Sequence, residues 1–443
     1  MRILIVTEQF PPMVGGVATV TDSLSRDLAE AGHQVWVAAP SEGRYDQFLD
    51  RGLVHLYRFA SVEWPSYEGQ RIALLPVAPL RRLLRVARPD VVHIHSPIIL
   101  GNLALLLASA RHIPVVATNH YMPLNMSPTL STDPVLGKSF RALAYGYLVT
   151  FYNRCDSVTA PTATALDLLK QHGLRVPARP ISNGIDLAAF APRPRDEALR
   201  RRLRLPADRP LTLYIGRLAE EKRVHILLDA LAQVKTPIHL AIGGTGPLRE
   251  ELEERAASLG IARRVSFLGF VADDDLRPLY RLADVFAMPS VAELQSVATL
   301  EAMASGLPVA AADAGALPEL VHDGENGYLF APDDSAALAD RLTRLARDAD
   351  LRATFGARSV EIVRPHDRRH VLAEWQEVYA GLAAAARQHA AKGKRTKAKS
   401  AVKNTGRPAS RSLPSTRRLA TRLPRPARPG TPTRQPRRGL EIG

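Results

Sequence analysis

A chain of 443 residues, 46% hydrophobic and 23% charged, holds enough apolar material for two α/β-sized domains and too much for one ordinary domain. Its net charge of +15 belongs to one end: residues 391–443 carry 16 of the 59 Lys and Arg and one of the 44 Asp and Glu, leaving 43 of each sign elsewhere. The single cysteine, Cys155, excludes an intramolecular disulfide and suits a reducing compartment, and no run reaches the roughly 18 apolar residues of a membrane-spanning helix.

In chain order, the start Met1 to Thr7 is too short for a signal peptide's apolar region and reads as a first strand from Ile3. A helix is predicted from Thr19 to Ala31, closed by Gly32, and a second strand from Val35 to Ala39. Buried strands follow at Pro89 to His95, Pro114 to Ala117 and Ser157 to Ala160. Short apolar runs separated by helical patterns imply a parallel sheet covered on both faces. The turn-rich segment 181–186 and the linker carrying Pro192, Pro194 and Pro206 end this half. The pattern then restarts with strands at Leu211 to Ile215, His239 to Ile242, Val265 to Leu268, Val285 to Met288 and Pro308 to Ala311. Two successive series of this kind predict two doubly wound Rossmann-like α/β domains, with a ligand in the cleft between their strand C-terminal ends. Boundaries are expected at residues 1–190 and 206–368. A final helix from Val371 to Ala385, within 369–390, carries Trp375 and Tyr379 as anchors. The Lys-, Arg- and Pro-rich remainder, 391–443, is expected to be disordered.

Several loops after these strands hold residues suited to a ligand. Gly15 and Gly16, between the first strand and first helix, could let backbone amides approach a phosphate or acceptor, or could serve conformation alone. His120 lies just past a strand, where cleft residues belong; His93 and His95 suggest a metal pair only superficially, because no partner cluster accompanies them. In Gly216-Arg217-Leu218-Ala219-Glu220-Glu221-Lys222, a Gly turn followed by two cations reads either as a diphosphate clamp or as an exposed helix start. Gly244 and Gly246, in a Gly-x-Gly turn, could border a phosphate or only shape the loop. Glu293 and Glu301 flank the start of a helix predicted from about Ser296 to Ser305, with Gly306 at C′. Eight residues of helix rise roughly 12 Å. One carboxylate could thus meet a sugar and the other a ribose, with a diphosphate at the helix N-terminus between them. Two ordinary surface glutamates would give the same spacing.

The run from Pro289-Ser290 through Glu293 to Glu301-Ala302-Met303-Ala304-Ser305-Gly306-Leu307-Pro308-Val309 resembles the donor-binding signature of family 4 retaining glycosyltransferases, which have the GT-B fold. The resemblance extends from Met1 to about Leu382. It departs at Leu294-Gln295-Ser296, where the family usually has Gly-Phe-Gly. The resemblance implies catalytic roles for His120, Glu293, Arg217 and Lys222. It places Gly15, Gly16, Gly216, Gly244, Gly246, Leu294, Gln295, Ser296, Val297 and Glu301 at the donor, with Gly244 and Gly246 mainly structural. The implied reaction moves a hexose from a UDP- or GDP-sugar with retention of configuration. Asp273-Asp274-Asp275 looks like the metal motif of the other glycosyltransferase fold, but its place before a helix predicts N-capping. No metal and no cofactor are expected.

Ser61 to Arg71, the loop 97–101 and Asn119 to Pro123 look similar to glycosyltransferases acting on diacylglycerol, so a lipid acceptor is expected first. A soluble acceptor, such as an inositol phosphate or a polysaccharide, comes second. Arg81, Arg82, Arg85 and Arg88 and the basic tail could rest on an anionic membrane, giving a cytoplasmic protein peripheral on the inner face. A nucleic-acid-binding role is disfavoured, because the tail interleaves no aromatic residues for base stacking. A dinucleotide oxidoreductase is disfavoured because no Gly-x-Gly-x-x-Gly follows the first strand.

Overall fold

The computed structural model describes residues 1–404 apart from Val14, Tyr45, 65–70, Leu75 and 127–134. Residues 1–390 form one compact unit containing two sheets. The first is built from β1 (Arg2–Val6), β2 (Gln34–Pro40), β3 (Gln47–Arg51) and β4 (Val54–Phe59). A separate small ribbon pairs β5 (Ser61–Glu63) with β6 (Arg71–Ala73). The first sheet is completed by β7 (Val91–Ile94), β8 (Val115–Thr118), β9 (Ser157–Ala160) and β10 (Ala178–Pro180), in the order β10-β9-β8-β7-β1-β2-β4-β3. Every pairing is parallel except that of the edge strand β3. The second sheet holds β11 (Leu211–Ile215), β12 (His239–Gly243), β13 (Val265–Gly269), β14 (Val285–Met288), β15 (Val309–Ala312) and β16 (Gly327–Phe330). It runs wholly parallel in the order β13-β12-β11-β14-β15-β16. Both sheets reverse strand order once, between β1 and β7 and between β11 and β14; doubly wound folds place ligands outside such switch points.

The central strands form where continuous apolar runs can be buried on both faces. All four residues of β7, β8, β14 and β15 are buried. Helices Val77–Ala87, Ile99–Ser109 and Gly137–Tyr152 cover one face of the first sheet. Helix Gly16–Glu30 covers the other, together with the closing helix, which buries Val371, Trp375, Tyr379 and Ala383 against Ile3, Ile5 and Val35.

Four sequence expectations change. Strands β3, β4, β10 and β16 join the sheets at or next to their edges although none was expected; β4 alternates buried and half-buried residues along most of its length, as one-sided strands do. The first helix begins at Gly16 rather than Thr19. Asp273 to Asp275 do not cap: Ala272 is the N-cap, without a side-chain bond, and the three carboxylates lie in the first turn of helix Asp273–Leu282, where the dipole favours them. The closing helix spans Arg368–Asn404, past the Ala391 boundary set for the tail, and its Ala, Lys and Arg content suits a helix. Residues 405–443 lie outside the described residues. No helix among the described residues is long and apolar enough to cross a membrane.

Candidate active site

At the second sheet's switch point, the loops after β11 and β14 are sewn together. The Glu221 carbonyl accepts the Val291 amide at 3.1 Å and the Ser290 hydroxyl at 3.3 Å. That junction turns Lys222, at the end of the single turn Glu220–Lys222, toward Glu293: Nζ donates to Oε1 at 2.6 Å. The two side chains are only 18% and 10% exposed, so this charge-assisted bond is shielded from water. From the other side, the Glu293 carbonyl accepts the Ala316 amide at 2.9 Å. Gly315 makes that approach possible, with φ at 56° and room for no Cβ, which would come 2.7 Å from the Glu293 oxygen.

Arg217 is exposed at the rim of the same loop, and its carbonyl accepts the Tyr214 hydroxyl at 2.9 Å. Gly216 lies over that hydroxyl, where a Cβ would come within 2.6 Å. At Gly244, whose φ is 139°, a Cβ would sit 1.8 Å from the Gly216 carbonyl; at Gly246 it would sit 2.3 Å from that of Leu218. These glycines let the loops after β11 and β12 lie on one another. Gly15 and Gly16 differ. Gly15 is extended, and a Cβ on either would meet nothing within 4 Å.

Ser296 caps helix Val297–Ala304 by accepting the Thr299 amide at 3.2 Å, and the helix ends at Ser305 with Gly306 at φ 77°. Its N-terminus therefore opens beside Glu293, with the Val297 and Ala298 amides at the positive pole. Glu301, farther along, accepts the Tyr280 hydroxyl at 2.8 Å. Burial pushes its carboxyl up to about 7; the Tyr280 bond and Arg277 oppose the shift and Asp273 adds to it.

Leu294 and Gln295 lead elsewhere. Leu294 packs against Ala160, Ala165 and Leu166 of the first half, and the Thr162 hydroxyl donates to its carbonyl at 2.7 Å. The Gln295 carboxamide bonds residues 161, 182 and 183 of the first half.

On the first sheet, His120 follows β8. Its Nε2 lies 3.0 Å from His95 Nδ1, the rings stack at 5.2 Å, and burial lowers its pKa to about 4, so it is neutral near pH 7. His93 in turn meets the Thr118 hydroxyl at 2.7 Å and the Tyr379 hydroxyl of the closing helix at 2.8 Å, with its ring on Trp375. Burial also holds His93 and His95 well below the usual histidine range. His95, just past β7, thus supports His120, and His93 on β7 supports the closing helix. Among the described residues no group of three or more His, Cys, Asp or Glu could hold a metal ion.

Three contributors carry no sequence signal, because no local pattern marks the partners they meet. Tyr280 reaches Glu301, and Tyr214 braces Arg217. Glu8, past the end of β1, is 2% exposed and accepts the Leu100 amide at 2.7 Å through Oε1. Burial raises its carboxyl to about 8 against those amide bonds. The stretch 65–70 of the segment likened to lipid-acting enzymes lies outside the described residues.

Two family models match the chain: Glycosyltransferase Family 4 over residues 14–189 and Glycosyl transferases group 1 over 195–361. A GDP-mannose-dependent alpha-mannosyltransferase from Mycolicibacterium smegmatis is 32% identical, over 81% of this chain and 92% of that protein. An alpha-monoglucosyldiacylglycerol synthase from Streptococcus pneumoniae is 29% identical, over 74% of this chain and 75% of that protein. Among solved structures, Anabaena HepE in complex with UDP superposes with a TM-score of 0.69 at 25% identity, over 86% of this chain and all of that one. Two facing doubly wound sheets, an acid–lysine pair at the switch point of the second and full-length relatives of one class agree: the chain belongs to the family 4 glycosyltransferases of the GT-B fold and is a hexosyltransferase.

Proposed function

We propose that this enzyme moves a hexose from a UDP- or GDP-sugar to a lipid hydroxyl, with retention of anomeric configuration, and so makes a glycolipid. The observation that carries the reading is the Lys222–Glu293 contact beside the N-terminus of helix Val297–Ala304. Glu293 accepts from hydroxyls of the donor sugar, and Glu301 accepts from the ribose. As the glycosidic bond breaks, negative charge grows on the β-phosphate. Lys222, Arg217 and the first amides of the helix stabilise it without reorganising. Neutral His120 holds the transferred sugar by a hydrogen bond. The acceptor hydroxyl attacks from the face the leaving group departs, and its proton passes to the departing phosphate oxygen. Phe270, 60% exposed just past β13 beside the Gly244 turn, offers a ring for the base. The fixed cations suit a reaction with no divalent requirement, which full activity in excess chelator would bear out.

Support for a lipid acceptor comes from the diacylglycerol-acting relative and from helix Val77–Ala87, whose Arg81, Arg82 and Arg85 are exposed, with Arg88 at its C-cap. Such a face suits the anionic cytoplasmic surface of a membrane. The mannosyltransferase relative favours GDP-mannose as the second donor candidate.

A thermal-shift panel of UDP-glucose, GDP-mannose and their nucleoside diphosphates tests the donor. A ligand at 100 times its Kd stabilises the native state by about 2.7 kcal/mol. Transfer is then followed with diacylglycerol vesicles and with inositol phosphate. Stabilisation by no nucleotide sugar overturns the proposal, and transfer only to inositol phosphate overturns its lipid part.

A further inference from the structure

We infer that Gln295 is a positioning residue: it clasps the loop carrying Glu293 to the first half of the enzyme, so that the Glu293–Lys222 pair is set for the sugar only while the two halves are docked. This rests on the reading of Glu293 as the residue that holds the donor sugar.

Gln295 is 7% exposed, and the protein itself occupies its carboxamide. Oε1 accepts the Asn183 amide at 2.8 Å and the Ser182 hydroxyl at 3.2 Å, filling both lone pairs. Nε2 donates to the Pro161 carbonyl at 3.2 Å and lies 3.5 Å from His366 Nδ1. A carboxamide so engaged has little capacity left for a ligand. Its neighbour repeats the attachment: Leu294 buries its side chain among Ala160, Ala165 and Leu166, and its carbonyl takes the Thr162 hydroxyl. Glu319 adds a third tie, accepting the Thr164 amide at 2.7 Å and the Ala163 amide at 3.3 Å at the start of helix Ala163–Gln171.

Glu293 therefore sits between two anchors. Behind it, Ala316 of its own half holds the carbonyl; ahead of it, residues 294 and 295 are bound to the other half. The carbonyl of Leu294 and the side chain of Gln295 fix this loop through contacts made across the molecule. Opening the halves breaks those contacts and frees the loop on one side of Glu293, while the Lys222 loop stays on the second sheet. Donor diphosphate can then bind to the second half alone, whereas sugar transfer needs the clasp.

Gln295→Ala tests this, with Thr162→Val as a variant on the far side of the same clasp. Both are expected to lower kcat with the nucleotide sugar that wild type consumes, UDP-glucose or GDP-mannose, at least tenfold. The Kd for UDP or GDP alone should stay within twofold, and the thermal midpoint without ligand within a few degrees. Thr162→Ser, which keeps the hydroxyl, should restore kcat. A kcat within twofold of wild type in Gln295→Ala overturns the inference. So does a parallel loss of nucleoside diphosphate affinity, which would make Gln295 a ligand or a fold-wide support. A wild-type chain that binds neither UDP nor GDP and consumes neither sugar overturns the glycosyl-transfer reading itself, and this inference with it.

Discussion

At Lys222, one ammonium answers to two anions: the carboxylate it touches and the diphosphate proposed beside it. Replacing it by alanine removes a preorganised cation from the leaving group and leaves a mostly buried Glu293 unpaired. Lys222→Ala should lower kcat by a factor of about 100 to 1,000, as for a lost oxyanion donor. It should also destabilise the fold by about 1–3 kcal/mol through the unpaired carboxylate. Initial rates and a urea midpoint check the two parts separately, and unchanged turnover would remove Lys222 from the chemistry. Glu8 makes a prediction of a different kind. Its pKa rises from 4.5 to about 8 on folding, so above pH 4.5 the folded state holds a proton that the unfolded state has released. Stability from this group is full below pH 4.5 and is lost as pH climbs toward 8. Glu8→Gln keeps a carbonyl for the Leu100 amide and removes the titration. Its thermal midpoint should match wild type near pH 5 and exceed it at pH 8, and parallel pH curves would refute the account.

Among the elements, the loop after β12 has little freedom. Gly244→Ala must place a Cβ against the Gly216 carbonyl at a φ of 139°, so both loops shift. The cost should be at least about 2 kcal/mol, the scale of strain at such a φ together with a steric clash. Because the Gly216 loop leads to Arg217 and Lys222, UDP or GDP affinity should fall with stability; a calorimetric titration beside a melting curve decides this. Helix Val297–Ala304 is legible in the amino-acid sequence, since Ser296, Ser305 and Gly306 mark its ends and the strand ahead of it is continuously apolar. The inner strands are legible for the same reason. What local pattern hides is set by distant partners. β4 is a strand because it has β2 on one side and β3 on the other, β3 because it has β4, and their mixed polar and apolar residues leave no long apolar run. Tyr280 serves Glu301 from 21 residues away. Gln295 faces the other half through bonds spanning 112 to 134 residues, so nothing nearby in the chain separates it from a donor ligand. The extension of the last helix to Asn404 has no apolar stripe to announce it; composition alone carries it.

For the whole molecule, charge is divided between a balanced catalytic body and a basic end. Deleting residues 391–443 should leave donor consumption within twofold, because every proposed catalytic group lies before Ala390. Sedimentation with anionic vesicles should fall sharply at low salt, at about 1 kcal/mol for each cation that had reached the surface. Equal vesicle binding with and without the segment would deny the tail that task. The helix that crosses from the second sheet to the first has a further effect, on how the protein is made. Tyr379 and Trp375 complete the layer over Ile3, Ile5 and Val35, yet they leave the ribosome almost 200 residues after the first sheet's last strand, Ala178–Pro180. Until then one face of the earliest-made sheet lacks its lid and has only helix Gly16–Glu30 to shelter it. Synthesis halted at residue 190 should accordingly yield a product that binds chaperones or aggregates, and a peptide of residues 368–390 added in trans should rescue it.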